Sequence, residues 1–178
     1  MVDKNISDNT LAIQLQFGDL TALTTLINRY EKPLLRYATH LGCSEPEDSV
    51  QETFIKMYQN INNYDPNRKF SSWLYRLAHN TTVSRLRARR FTLPFADYLD
   101  SWLGSTDTDP LDNLATTSEL ERCLPKLAPH YLAPLTLYYF EDKSYQEISD
   151  ILRLPIGTVS ARINRAKKIL RSICKKNH

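Results

Sequence analysis

No stretch of this sequence is hydrophobic enough to cross a membrane. Its apolar runs fall well short of the roughly 20 residues that a bilayer requires, and residues 1–10 lack the apolar core of a signal peptide. We therefore expect a protein without membrane insertion that remains in the cytoplasm.

Cysteine and histidine are scarce, which argues against a metal site. The three cysteines, Cys43, Cys123 and Cys174, are far apart and form no CxxC pair or zinc-ligand cluster. We expect reduced structural thiols, with redox sensing as the alternative, and neither a metal nor a cofactor. The four histidines stand in unrelated contexts, so we expect a protein that is not an enzyme.

Charges are segregated along the chain, although the net charge is only +3. Residues 45–52 carry only acidic charges, residues 66–96 only basic ones and residues 97–121 only acidic ones. After Asp150 no acidic residue follows. This alternation predicts two contacts with nucleic acid, joined by a tether that avoids the phosphates.

Apolar residues recur at three- and four-residue steps, and only 4 of the 178 residues are glycine, so we predict an all-α fold. Residues 11–41 predict two helices with a break near Gly18. A capping box that starts at Ser44 predicts a third helix, and Ser71 or Ser72 is expected to cap a fourth.

Residues 92–117 have no sustained period and contain proline, glycine and several aspartates, which is typical of a linker. We therefore predict two domains, at 1–91 and 118–178. The linker also carries aromatic and apolar side chains that could form a short helix, dock on a partner or pack on a domain: Phe91, Phe95, Tyr98, Trp102 and Leu103.

The C-terminal part predicts a helix-turn-helix. Capping boxes are expected at Ser118 and Ser144, and a helix is expected from Pro129, in which Pro134 introduces a kink or delays the start. A break at Pro155 separates the last two helices. The final helix has an apolar stripe formed by Val159, Ile163, Ala166, Leu170 and Ile173.

The opposite face of the final helix suits a DNA major groove. It carries small and hydrogen-bonding residues that suit base edges, and the cations Lys167, Lys168 and Arg171 suit phosphates. A solvated basic helix in an ordinary three-helix bundle is the alternative interpretation.

Two further segments have less specific patterns. Residues 70–80, followed by four arginines, interleave aromatic rings with cations, as in surfaces that bind unstacked single strands. Alternatively, Trp73 and Tyr75 are ordinary core residues. The acidic helix near Asp48 forms either a protein-docking face or a plain solvated face.

These segments, taken in order, closely resemble a bacterial extracytoplasmic-function sigma factor, the small two-domain class of promoter-specificity subunit of RNA polymerase. The resemblance covers about residues 9–90 and 118–173. Its most specific motifs are EDSVQETF from Glu47, FSSWLYRLAHN from Phe70, and SYQEIS from Ser144 through GTVSARINRA from Gly157.

The resemblance implies core RNA polymerase, promoter DNA and an anti-sigma factor as partners. It implies docking on the clamp coiled coil of the polymerase largest subunit by Asp48, Gln51, Glu52, Phe54, Ile55 and Tyr58. It implies melting of the minus-ten element by Arg68, Lys69, Phe70, Trp73, Arg76, Asn80, Ser84 and Arg87. It implies reading of the minus-thirty-five element by Thr158, Ser160, Ala161, Arg162, Asn164, Arg165 and Lys168.

Two other functional classes compete with this interpretation. A free-standing helix-turn-helix repressor or activator would bind a palindromic duplex without polymerase, and the aromatic and basic segment ending at Arg90 argues against it. An enzyme acting on nucleic acid would need a convergent set of His, Cys or carboxylate residues, which the sequence lacks.

Overall fold

The computed structural model describes residues 6–90 and 122–175, and every regular element within those ranges is helical. The helices are α1 (Asp8–Gln16), α2 (Leu20–His40), α3 (Pro46–Asn60), α4 (Phe70–Arg90), α5 (Pro129–Tyr139), α6 (Tyr145–Leu152) and α7 (Ile156–Lys175). Short 3-10 turns lie at Ile61–Asn63 and Leu124–Lys126. The all-α class is confirmed.

A glycine follows the end of each of the first two helices. Gly18 has φ 92° and Gly42 has φ 81°, in the left-handed region that a side chain disfavours. Asp19 then begins α2, because its carboxylate accepts the backbone N–H of Thr21 at 2.8 Å. The predicted break near Gly18 is therefore confirmed.

The starts of α3 and α4 differ from the prediction. Glu45, not Ser44, is the N-cap of α3 and makes no side-chain capping bond. This register places Pro46 at the first helical position, where its fixed φ fits best and its missing N–H costs nothing. Helix α4 begins at Phe70, ahead of both Ser71 and Ser72, because a side chain from α1 caps it.

The C-terminal helices follow the predicted boundaries. Ser144 forms the complete capping box with Glu147, and α6 ends at Arg153, which adopts the left-handed conformation at φ 54°. Helix α5 starts at Pro129, so the expectation that Pro134 delays its start is wrong. Pro134 lies inside α5 and is buried.

The four N-terminal and three C-terminal helices bury their apolar side chains in one continuous cluster. Helix α4 packs against α3 on one side and against α6 on another, while α5 and α7 pack together. Four members of the predicted α7 stripe are fully buried: Val159, Ile163, Ala166 and Leu170. The stripe is the inner face of α7, as predicted.

The expectation of reduced thiols is wrong for two of the three cysteines. Cys123 and Cys174 form a disulfide with Cα atoms 6.2 Å apart, which joins the segment before α5 to the last turn of α7. Cys43 is a free, half-buried thiol. The sequence could not pair these cysteines because 51 positions separate them.

Several expectations fall on residues outside the described ranges. These are the linker 92–117, its aromatic residues and the capping box at Ser118. Within the described ranges, no helix combines the length and apolar character needed to cross a membrane. In the same ranges, no cluster of three or more His, Cys, Asp or Glu side chains is arranged to hold a metal ion.

Candidate nucleic-acid interface and docking face

The outer face of α3 combines acidic and apolar side chains in the open. Asp48 and Gln51 are exposed, and the large apolar side chains of Ile55 and Tyr58 remain 53% and 51% exposed. Phe54 is half-buried against the core. Exposed large hydrophobic residues beside carboxylates are typical of a surface that another protein covers.

One arginine on α4 neutralises much of the acidic charge on α3. Arg85 donates to Glu52 at 3.1 Å and to Asp48 and Glu45 at 3.2 Å each. Glu52 also pairs with Lys56 at 2.7 Å. The hydrogen bonds from Lys56 and then Arg85 hold the pKa of Glu52 below its usual value. Sequence reasoning assigned Arg85 to the basic DNA-facing block, but its side chain turns toward α3.

Five of the eight predicted minus-ten residues are exposed, Trp73 and Arg76 are half-buried, and Phe70 is buried. Arg68 and Lys69 are exposed in the loop before α4, and Asn80, Ser84 and Arg87 are exposed along α4 itself. The spacing of the last three, at four- and three-residue steps, places them on one face of the helix. The α4 surface therefore presents a polar and cationic stripe.

Phe70 is a correction to the predicted DNA surface. Its ring is fully buried, with the ring centroids of Tyr30, Tyr64 and Trp73 at 5.9, 5.5 and 5.7 Å. Edge and tilted contacts of this kind hold aromatic rings in a core. Because its ring is buried, Phe70 cannot contact DNA. The ring instead packs beneath the loop that precedes α4.

The sequence left open whether Trp73 is a DNA-contacting surface residue or an ordinary core residue, and the structure shows a residue with both characters. Its indole is half-buried and packs against Tyr64, whose ring centroid is 5.3 Å away. Tyr75, in contrast, is an interior residue at 2% exposure. The core interpretation therefore holds for Tyr75, whereas Trp73 keeps part of its ring at the surface beside the loop.

Asn9 on α1 organises the loop that precedes α4, although sequence reasoning did not single it out. Its Oδ1 accepts the backbone N–H of Phe70 at 3.0 Å, which caps α4. Its Nδ2 donates to the carbonyl oxygens of Arg68 and Pro66 at 3.0 and 3.2 Å. No local pattern could reveal this role, because Asn9 lies 61 positions from Phe70.

Helix α7 presents the predicted minus-thirty-five residues on its outer side. Ala161, Arg165 and Lys168 are exposed, and the remaining four are partly exposed: Thr158, Ser160, Arg162 and Asn164. Ser149 donates to the carbonyl of Leu154 at 2.6 Å, which fixes the turn that leads into α7. This geometry suits entry of α7 into a major groove.

Lys167 makes a different contact from the expected phosphate contact. Its Nζ lies 5.5 Å from the ring centroid of Tyr139 and 5.9 Å from that of Tyr138. At these distances the cation is attracted to the ring faces. Lys167 therefore helps to join α7 to α5.

Two of the predicted DNA-contacting cations engage α6. Lys69 pairs with Glu147 at 3.2 Å, and Arg76 donates from Nε to the carbonyl of Asp150 at 3.1 Å. Burial lowers the pKa of Arg76, and the nearby positive charges of Arg153 and Arg68 lower it further. The structure thus brings part of the predicted minus-ten surface against the first helix of the helix-turn-helix.

Comparison with known proteins matches two family models to this chain. A family model of sigma-70 region 2 matches residues 26–92, and one of sigma-70 region 4 matches residues 117–170. The chain is 31% identical over 175 residues to the ECF RNA polymerase sigma factor SigW of Bacillus subtilis, with 89% of this chain and 91% of that protein covered.

A second relative and two solved structures extend the comparison. The ECF RNA polymerase sigma-E factor of Haemophilus influenzae is 32% identical over 179 residues, covering 94% of this chain and 95% of that protein. CnrH, in complex with the cytosolic domain of CnrY, has a TM-score of 0.74 at 24% identity, covering 96% of this chain and 99% of that one. The sigma factor RpoE of Bartonella quintana, in complex with the anti-sigma factor NepR, has a TM-score of 0.68 at 20% identity, covering 87% and 98%. These two likenesses show a shared fold.

Proposed function

Because this chain belongs to the extracytoplasmic-function sigma factors of bacterial RNA polymerase, we propose that it directs core polymerase to promoters through three surfaces. Helix α3 docks on the polymerase, α4 with its preceding loop opens the minus-ten element, and α7 reads the minus-thirty-five element. The protein acts in the cytoplasm as a binding subunit and not as an enzyme, under the control of an anti-sigma factor.

The observation that carries this proposal is the separation of the three surfaces onto three helices with distinct chemistry. Helix α3 exposes apolar side chains beside carboxylates, which suits a protein partner. Helix α4 exposes cations and amides near a half-buried indole, which suits unstacked bases and their phosphates. Helix α7 exposes small residues beside Asn164 and Arg165, which suits base edges in a groove.

We propose the division into a polymerase and minus-ten domain at 1–91, a linker at 92–117, and a minus-thirty-five domain at 118–178. In this arrangement Phe54 lies half-buried at the edge of the docking face, and Ile55 and Tyr58 form its exposed centre. Arg87 and the neighbouring exposed residues of α4 follow the displaced strand. Within α7, Arg165 hydrogen-bonds base edges and Lys168 contacts a phosphate.

The test is transcription in vitro with purified protein, bacterial core polymerase and a library of promoter DNA, followed by sequencing of the transcripts. Start sites preceded by two elements at a fixed spacing support the proposal. The matched control is the Ile55→Arg variant, which should fold normally and yield no transcripts. If the folded protein neither binds core polymerase nor initiates, and instead protects a palindromic duplex alone, it is a free-standing regulator.

A further inference from the structure

The disulfide between Cys123 and Cys174 joins the two ends of the C-terminal helical unit. Cys123 immediately precedes the 3-10 turn at Leu124–Lys126, and Cys174 lies in the last turn of α7. Their Cα atoms are 6.2 Å apart, a separation that a disulfide spans without movement of the backbone. The same fold therefore accommodates the pair as a disulfide and as two thiols.

The compartment in which we place this protein bears on the purpose of the disulfide. Glutathione and thioredoxin keep cytoplasmic thiols reduced, and disulfides that form in the cytoplasm are usually transient, in catalysis or in redox sensing. A permanent structural disulfide belongs to oxidising compartments. In a cytoplasmic protein, a pair of cysteines already at bonding distance suits a link that forms and breaks.

The two sulfur atoms differ in their access to solvent. The side chain of Cys174 is half-buried, whereas Cys123 is only 4% exposed. A small oxidant therefore reaches Cys174 first, and Cys123 is placed to attack the product from the protein side. This is the arrangement of an accessible cysteine with a resolving partner.

The oxidant class that fits this chemistry is a low-molecular-weight disulfide such as oxidised glutathione. The thiolate of Cys174 attacks one of its sulfur atoms, forming a mixed disulfide and releasing one thiol. The thiolate of Cys123 then attacks the sulfur of Cys174 and releases the second thiol. The two cysteines lose two electrons and two protons, and the oxidant leaves as two thiols. An excess of reduced thiol reverses both steps.

The disulfide holds α7 where the packing of this helix is weakest. Ala166 and Leu170 are fully buried on its inner face, but Cys174, the next residue in the same four-residue steps, is only half-buried. Lys168, which we assign to a phosphate contact, lies less than two helical turns before Cys174. The orientation of this cation therefore depends on how firmly the end of α7 is held.

We propose that Cys123 and Cys174 form a reversible redox switch, in which oxidation fixes the end of α7 and strengthens its binding to duplex DNA. The effect on DNA rests on the proposed function of α7. In the reduced protein only non-covalent contacts join the last turn of α7 to the segment before α5, and DNA binding must order them. The disulfide removes part of that ordering cost before DNA arrives.

The experiment incubates the full chain in mixtures of reduced and oxidised glutathione and measures its affinity for a pool of short duplexes of randomised sequence by fluorescence anisotropy. Mass spectrometry of the digested protein identifies the linked cysteines. The oxidised protein should contain the Cys123–Cys174 link and bind the pool about fivefold more tightly than the reduced protein. Dithiothreitol should restore the weaker binding.

Two serine variants separate the pair from the remaining cysteine. Cys174→Ser should bind DNA as the reduced parent protein does, with or without oxidised glutathione. Cys43→Ser is the matched control and should respond to oxidation like the parent protein, since Cys43 is a free thiol outside the pair. The parent protein is switched by the buffer alone, so its response does not depend on whether a variant folds.

Two results would overturn the switch. One is equal affinity of the oxidised and reduced parent proteins for the duplex pool. The other is a disulfide that stays intact in the excess of reduced glutathione typical of cytoplasm, because the link would then be permanent.

These outcomes are separable from that of the proposed function, because the binding measurement uses no polymerase. If oxidation strengthens duplex binding but the chain never initiates transcription, the redox switch stands and the sigma-factor mechanism fails. If the chain initiates transcription while its duplex affinity ignores the redox state, the mechanism stands and the switch is wrong.

Discussion

The side-chain oxygen of Asn9 accepts the backbone N–H of Phe70 at 3.0 Å, so a residue on α1 begins a helix 61 positions later. The amide nitrogen of the same side chain holds the carbonyls of Pro66 and Arg68. A single amide thus fixes both the loop and the helix start that we assign to the minus-ten element.

Asn9→Ala should destabilise the protein by about 1 to 2 kcal/mol, since it removes a helix cap and leaves two loop carbonyls without that donor. Urea denaturation measures the loss. Asn28→Ala, at an exposed position on α2, is the control and should change stability little. An Asn9→Ala variant as stable as the control would show that the cap contributes nothing.

Ile55→Arg should abolish binding to core polymerase while leaving the free energy of unfolding nearly unchanged, because the side chain is 53% exposed. Pull-down with core polymerase and a thermal melt measure the two effects. Leu20→Arg is a matched control, as Leu20 is 58% exposed on α2. If Leu20→Arg weakens polymerase binding as much as Ile55→Arg does, the added positive charge, and not its position on α3, causes the loss.

Glu52→Arg is a less informative test of the same face. Glu52 is paired with Lys56 and Arg85, and a third cation there would be repelled by both. We expect this variant to lose stability as well as polymerase binding.

Arg165→Ala and Lys168→Ala should weaken DNA binding in different ways. Losing a base-edge contact at Arg165 should cost about 1 to 3 kcal/mol on the preferred minus-thirty-five sequence and little on others. Losing a phosphate contact at Lys168 should weaken binding to all sequences alike. Competition binding against a set of single-base variants measures both, and a uniform loss for Arg165→Ala would remove its assigned role in reading bases.

Cys174→Ser should lower the stability of the C-terminal helices by roughly 4 kcal/mol under oxidising conditions, because it opens a link across 51 positions. In the presence of a thiol reductant the variant and the parent protein should melt alike. Cys43→Ser is the control, since Cys43 is a free thiol. A parent protein that melts at the same temperature with and without reductant would contradict a stabilising role for the disulfide.

Acidification should destabilise the protein through His79. Burial, with a smaller contribution from the positive charge of Arg87, lowers the pKa of His79 to about 4. The unfolded chain takes up this proton near pH 6.5, so the unfolded state binds more protons between pH 6.5 and 4. Stability should therefore fall as the pH falls through that window, by at most about 3 kcal/mol.

The matched variant is His79→Gln, which removes the titration and keeps a polar partner for the Tyr37 hydroxyl, now 2.9 Å from Nδ1 of His79. Its stability should depend less steeply on pH between 6.5 and 4 than that of the parent protein. Chemical denaturation at several pH values gives the two slopes. If the stability of the two proteins has the same pH dependence, titratable groups other than His79 cause the acid sensitivity.

The sequence by itself determined the features that depend on neighbouring residues. The capping box of Ser144, the start of α5 at Pro129 and the buried stripe of α7 all follow from spacings within a few helical turns. The family motifs have the same origin, because they consist of short runs of neighbouring residues, on α3, on α4, and on α6 and α7. The capping prediction at Ser44 failed by one position, since Pro46 fits best as the first helical residue.

Only the tertiary structure decided which distant residues meet. The cap that Asn9 places on α4, the pairing of Cys123 with Cys174 and the seating of Glu141 against Arg36 each join positions 51 to 105 residues apart. Burial of Phe70 likewise depends on rings that come from α2 and from the turn after α3. Local periodicity cannot predict these long-range contacts, because they depend on how whole helices pack against one another.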